Sequence, residues 1–305
     1  MNLRVFTLNL CVMLLPAFAS AADDPPVPVI VKDWWQVAGN SDSSPHSEVV
    51  DHCFWTASDG KWRLWTQIRD TENGRIFSQW AGGARLNDQW RLSSELWQGE
   101  EKHGETPGVV QAPHVYKADG TYHMTYGGGG QICLATSQDG VMFRRHQSPS
   151  RLISELKNRT PSGIRDPYMT KIGDSYRIYY TKDDTVAMVE ADRPDSQVWS
   201  TPIVVYREKT SRTQCPTVIQ HADWFYLFCM GGSGEYQTQV LASKDPDDFG
   251  VDSGKQITVL QTSASEIIRD GSKWYISSLV PIRNDNGNVI KHGGVRLAPF
   301  NWVYK

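Results

Sequence analysis

Three carboxylates stand near the starts of short strand-like runs at widely separated points of the chain: Asp51, Asp166 and Glu266. Asp166 lies in Gly163-Ile164-Arg165-Asp166-Pro167-Tyr168. After it come a polar turn, Gly173-Asp174-Ser175, and an aromatic run, Tyr176-Arg177-Ile178-Tyr179-Tyr180. Asp51 precedes Trp62 by eleven residues, Asp166 precedes Tyr176 by ten, and Glu266 precedes Trp274 by only eight. Carboxyls brought together by a fold can divide acid–base work: one keeps a proton, another stays ionised, and each raises the other's pKa by repulsion. The plainer reading of each Asp is a cap on a turn or strand end. For Glu266 it is a bond to nearby backbone or to Arg269. Glu100, Glu101 and Glu105 read as a solvated charge run.

The positioning elements recur. A strand, a turn and an aromatic strand are written five times, with turns at Asp59, Asp119, Asp174, Asp223 and Asp270. The turns are 60, 55, 49 and 47 residues apart, the size of a propeller blade holding about four short strands. No helical stretch separates the repeats. The pattern predicts an all-β chain with a single five-bladed β-propeller of four-stranded antiparallel blades. A β-sandwich is the competing fold, and it does not require the same motif at every step. In a propeller the first strand of each blade lines the axis, so Asp51, Asp166 and Glu266 converge on one funnel. The shorter spacing of Glu266 puts it further along its strand, deeper in the funnel or against the blade core. The run Gly127 to Gly130 lacks the lysine and helix of a phosphate loop and links two strands.

Twelve Trp, 12 Tyr and 25 Gly fit glycine-punctuated aromatic strands, most of whose rings are core. A net charge of −3 gives no electrostatic case for a nucleic-acid partner. Residues 1–21 read as a signal peptide: Arg4, an apolar run from Val5 to Phe18 too short to span a bilayer, and a small-residue site at Ala19-Ser20-Ala21. A secreted or periplasmic protein with no membrane partner after cleavage is expected. Residues 22–46 read as a linker with one strand or anchor, and 47–305 as the propeller. Export permits disulfides, and Cys215 and Cys229 flank a hairpin turn symmetrically. A cross-strand disulfide and two neighbouring free thiols both fit that spacing.

The motifs resemble the five-bladed propeller glycoside hydrolases of families 43 and 32. Gln111-Ala112-Pro113-His114-Val115 is similar to a family-43 second-blade strand, which usually begins Trp-Ala-Pro. Arg165-Asp166-Pro167 matches the family-32 Arg-Asp-Pro motif, and Ser265-Glu266-Ile267 resembles a last-blade strand. The resemblance spans residues 47–300. It implies hydrolysis of glycosidic bonds in a poly- or oligosaccharide, chemistry that needs two carboxyl groups across the bond. By resemblance Asp51 is base or nucleophile, and Asp166 stabilises the transition state. These families carry the acid as Glu-Cys-Pro or Glu-x-Pro one blade later. Here that slot reads Gln214-Cys215-Pro216, and an amide cannot act as a general acid. Glu266 is the nearest substitute acid. A carbohydrate-binding propeller that has lost turnover is therefore the alternative. Gln214, Arg165, His114, His52 and Trp55 are candidate sugar contacts, with Trp80 and Trp97 as further candidate floors. No cofactor is required. Some family-43 members carry a central calcium or sodium ion, and no stretch here has calcium-loop spacing.

Overall fold

In the computed structural model the five repeats form five sheets of four or five strands, the blades of a five-bladed propeller. The structure describes residues 24–146, 151–154, 163–209, 212–231 and 236–304, so the expected leader over 1–21 lies outside the described residues. Blade one comprises Glu48–Thr56, Trp62–Thr71, Gly74–Ala81 and Arg91–Gln98. In blade two, Gln111–Ala118, Thr121–Gly127 and Gln131–Ser137 are edged by Arg144–Arg145 and Arg151–Ser154. Blade three runs Ile164–Ile172, Ser175–Lys182, Thr185–Ala191 and Ile203–Arg207, with Gly250–Val251 added in parallel at its edge. Gln214–His221, Trp224–Met230, Thr238–Ser243 and Gln256–Leu260 make blade four. Ile267–Asp270, Lys273–Arg283 and Val289–Val303 begin blade five.

The hairpin turns carry the residues their backbone demands. Gly60, Gly120, Gly173 and Gly271 have φ between 60° and 82°, a region open to glycine at no steric cost. Aromatic and branched side chains of the middle strands then fill the spaces between blades. Trp65, Phe77, Tyr122 and Tyr126 are fully buried between blades one and two, and Ile178 and Tyr180 pack with Ile132 and Leu134 between two and three. Burying a side chain of this kind contributes about 1.5–3 kcal/mol.

The segment expected as a linker completes the last blade. Val27–Ile30 pairs antiparallel with the C-terminal half of Val289–Val303, and Trp35–Gly39 pairs with its earlier half. One long strand is thus clasped by two short ones from the opposite end of the sequence. The two chain regions meet most closely at Gly294. A Cβ there would sit 2.1 Å from the Ala38 carbonyl oxygen and 3.0 Å from the Gly39 Cα. Gly294→Ala is expected to lower stability by about 1–3 kcal/mol in urea unfolding, the usual cost of overpacking. Gly254→Ala, where nothing lies within 4 Å of the added carbon, serves as the neutral comparison.

Candidate functional site

Each innermost strand enters its blade through a bulge. Pairing with the second strand shifts by one residue between Gln111 and His114, between Arg165 and Tyr168, and between Gln214 and Thr217. The bulged residues Ala112, Asp166, Cys215 and Ala264 have φ of 42°, 55°, 53° and 48°. Three of them precede a proline, which has no N–H for the ladder and is tolerated at a bulge. A left-handed backbone at a non-glycine residue costs on the order of 1–3 kcal/mol. Here it brings the side chains of Asp166 and Cys215 to the axis. Ala264 holds the corresponding place in blade five.

A cleft of about 240 Å³ opens over these bulges, lined by Asp51, Asp166, Gln214, Cys215, Arg75 and Arg165 among others. Thr181 donates its hydroxyl to Asp166 Oδ2 at 2.7 Å, and the Cys215 N–H approaches the same oxygen at 3.2 Å. The Cys215 thiol donates to Asp51 Oδ1 at 3.4 Å. One residue therefore links both carboxylates. Arg165 lies 3.5 Å from Asp166 and donates to Gln214 Oε1 at 3.4 Å. That contact occupies the amide oxygen and leaves the NH2 group as the donor for a ligand.

Burial and the neighbouring Asp166 charge push the Asp51 carboxyl up to about 7. Arg75, the Cys215 thiol and Arg165 pull it back only in part. Burial, with both Asp charges adding to it, pushes the Cys215 thiol far up, so it is a donor and not a thiolate nucleophile. All four cysteines of the described chain are free thiols: Cys229 is buried in the blade core, while Cys215 turns to the cleft.

One layer below, the axis narrows to about 40 Å³, space for a water and not for a sugar ring. Asp51, Asp166 and Cys215 form its upper wall, and His52, His114, Tyr168, Thr217 and Glu266 line it further in. Glu266 accepts the Phe54 N–H at 2.9 Å and faces His114 Nδ1 at 3.3 Å. His114 Nε2 lies 2.9 Å from the Met169 carbonyl oxygen and must be the donor there. The Nδ1–carboxyl contact then holds a single proton, on the imidazole or on Glu266. Burial pushes the Glu266 carboxyl up, against the pull of His114 and Phe54. Glu266 does not line the cleft that holds Gln214. It faces a second cavity of about 300 Å³ at the far ends of the inner strands, beside Trp55 and Trp62.

The remaining candidates divide the same way. His52 shares a 2.7 Å hydrogen bond with Ser277, which ties blade one to blade five, and burial lowers its pKa to about 3. Trp55 is 6% exposed and donates its indole N–H to the Gly140 carbonyl, so it packs against Trp65 and Phe143 instead of flooring the cleft. Trp80 donates to Thr66, and Trp97 is buried under Arg145. The structure brings Asp51, Asp166, Arg165 and Gln214 together in the cleft, and Asp51 and Asp166 also share the small axial cavity with His52, His114 and Glu266, while Trp55 stands apart from both. Cys215 and Arg75 are members that sequence reasoning missed. Cys215 had a signal, because it precedes Pro216 just as Asp166 precedes Pro167. Arg75 had none.

The axial donors do not fit a calcium or sodium cage. Both nitrogens of His114 and both oxygens of Glu266 already have protein partners. Among the described residues no three His, Cys, Asp or Glu side chains form a metal-holding group.

No protein-family model and no curated protein matches the chain. Solved structures do. A thermostable family-43 glycoside hydrolase superposes with a TM-score of 0.65 at 17% identity, over 88% of this chain and 93% of that one. The chain shares the fold of family-43 and family-62 glycoside hydrolases. A family-43 enzyme from Xanthomonas citri, solved with xylose, gives 0.58 at 12% identity over 87% and 90%. The catalytic domain of a family-62 α-L-arabinofuranosidase from Coprinopsis cinerea gives 0.58 at 13% over 88% and 95%. A further family-43 match is a calcium-free form with xylotriose. At these identities the likeness is one of fold.

The raised Asp51 carboxyl makes stability depend on pH with a definite sign. Unfolded, the group titrates near 3.8; folded, near 7. Between those values the folded chain holds a proton that the unfolded chain has lost, so stability falls as pH rises through this window. Asp51→Asn is expected to remove that slope and to be more stable than the parent at pH 8, by on the order of 1–3 kcal/mol. Urea denaturation at pH 4, 6 and 8 measures it.

Proposed function

We propose that the protein is an exported, glycoside hydrolase-like propeller that seats a sugar unit in the cleft and cleaves its glycosidic bond with Asp51 and Asp166. The carrying observation is the environment of Asp51, a cleft carboxyl that keeps its proton toward neutral pH beside a second carboxylate. A carboxyl held protonated by burial next to a second carboxyl has the surroundings of a general acid. Asp51 passes its proton to the departing glycosidic oxygen. Asp166 takes the proton of the attacking water. The Gln214 amide and Arg165 hold sugar hydroxyls. This assigns Asp51 the acid's part, where family resemblance alone made it base or nucleophile. Glu266 is given no part in the step, because it lines the small cavity beneath Asp51 and Asp166 and not the sugar-sized cleft. Two solved structures of this fold are a β-xylosidase and an α-L-arabinofuranosidase, which makes xylo- and arabino-oligosaccharides the first substrates to test.

A second reading is binding without turnover. Gln214 in the acid slot favours it, since among the described residues blade four sends no carboxyl into the cleft. One set of measurements separates the two. Mature protein is assayed for reducing-end release on a panel of xylo- and arabino-oligosaccharides, with binding followed by calorimetry. Turnover that falls about 10²- to 10⁴-fold in Asp51→Asn supports the enzyme. Its kcat/KM should then decline as pH rises through about 7, where Asp51 loses its proton. A rise through the same range returns Asp51 to the base's role. Binding without product in the parent, with turnover gained in Gln214→Glu, establishes the second reading.

A further inference from the structure

The walls of the cleft carry more positive charge than two-carboxylate chemistry needs. Arg69, Arg75 and Arg165 line it opposite Asp51 and Asp166, and the acid slot is the neutral Gln214. Two of the three guanidiniums have carboxylate partners. Arg69 donates to Glu48 at 2.6 Å and lies 3.5 Å from Asp70, while Arg165 lies 3.5 Å from both Asp166 and Asp184. Arg75 differs. Its side chain makes no hydrogen bond or ion pair with any described residue, and its tie to Asp51 is through the field alone.

The position of Arg75 is nonetheless fixed. It is the second residue of the third strand of blade one, directly after Gly74, and its main-chain N–H donates to the Gly108 carbonyl at 2.8 Å. Gly74 has φ of 76°, and a Cβ there would lie 2.5 Å from that same carbonyl oxygen. The turn and the 108 loop thus press together and anchor the root of Arg75 at the cleft wall. Val50, Met230 and Leu279 supply apolar surface on the other walls. A guanidinium offers five donors in a planar fork suited to carboxylate, sulfate and phosphate. An arginine without a protein acceptor, set beside apolar faces and a sugar-sized cleft, is a waiting half of an ion pair.

We propose that Arg75 makes the cleft an oxyanion subsite, and that the sugar it selects carries an acidic group, a carboxylate or a sulfate ester. This rests on the sugar-binding reading of the cleft for the source of the oxyanion, but not for the subsite itself. A charge-assisted pair of this kind, desolvated on one side, favours an acidic sugar over its neutral parent by about 10- to 100-fold.

Calorimetry on the mature protein tests it with four probes: glucuronate, galacturonate, xylose and inorganic phosphate, each at low and at high salt. Arg75→Met and Arg75→Lys are compared with the parent, the lysine variant guarding against a simple loss of fold. The expected result is that a uronate binds at least tenfold tighter than xylose and weakens with salt. Arg75→Met should lower uronate affinity at least tenfold more than xylose affinity, and Arg75→Lys should fall between. Xylose binding as tightly as the uronates, with both affinities moving together in Arg75→Met, overturns the proposal and leaves the sugar reading standing. Phosphate binding that depends on Arg75, with no sugar bound, keeps the oxyanion subsite and overturns the sugar reading. No binding of any probe overturns both.

Discussion

Two carboxylates that repel each other are held in one cleft by a third residue that touches both. Cys215 gives its main-chain N–H to Asp166 and its thiol to Asp51. It does so from a left-handed backbone that a β-strand residue ordinarily avoids. The bulge, the proline after it and the placement of Asp166 in the next blade are parts of this single arrangement. A regular strand start at blade four would turn the thiol away. Asp51, lifted by burial and then by the Asp166 charge, would lose the donor that ties it to its neighbour.

The axis is organised in layers as a result. Above the bulges lie the cleft, the amide of Gln214 and the three guanidiniums. Below them the side chains serve one another: His52 with Ser277, His114 with Met169 and Glu266, and Glu266 with the backbone of blade one. These contacts cross from blade to blade where no backbone ladder can. The lower layer therefore joins the ring together, and most of its buried polar groups are satisfied by protein partners, the Nδ1 of His52 excepted.

The fold was legible because its turns are local events. Polar turns, four of them with a glycine such as Gly120 or Gly173 that takes positive φ at no steric cost, recur at each hairpin, so the five-fold restatement could be counted without knowing which strands touch. The depth of Glu266 was legible for a related reason. Its spacing of eight residues from Trp274 moves it past the bulge, to the level of His114 and Thr217. Trp55 was misleading because an aromatic beside a candidate catalytic residue reads alike whether it floors a cleft or fills the space between blades. The role of Cys215 depends on a contact between blades, across 164 residues to Asp51, and that of Arg75 on where its strand meets the cleft. Cys215 was weighed against Cys229 across a hairpin, and the bulge that parts them leaves no trace in composition. The region before residue 46 was read as a linker with one strand or anchor and holds two strands, because the hydrogen-bonding partners that define them lie far along the chain in Val289–Val303.

That last pairing bears on how the ring comes to exist. Val27 faces Val303, so the earliest strands have no permanent neighbour until the latest ones are made. Blades one to four can each be assembled from consecutive hairpins, but the circle stays open until the two ends of the sequence meet. Contacts at such separation are slow to form because the intervening chain must first be ordered. Ring closure is therefore the natural last event of folding. A molecule cut short by even one blade-five strand would present two unsatisfied sheet edges, the surfaces most prone to join with a neighbour.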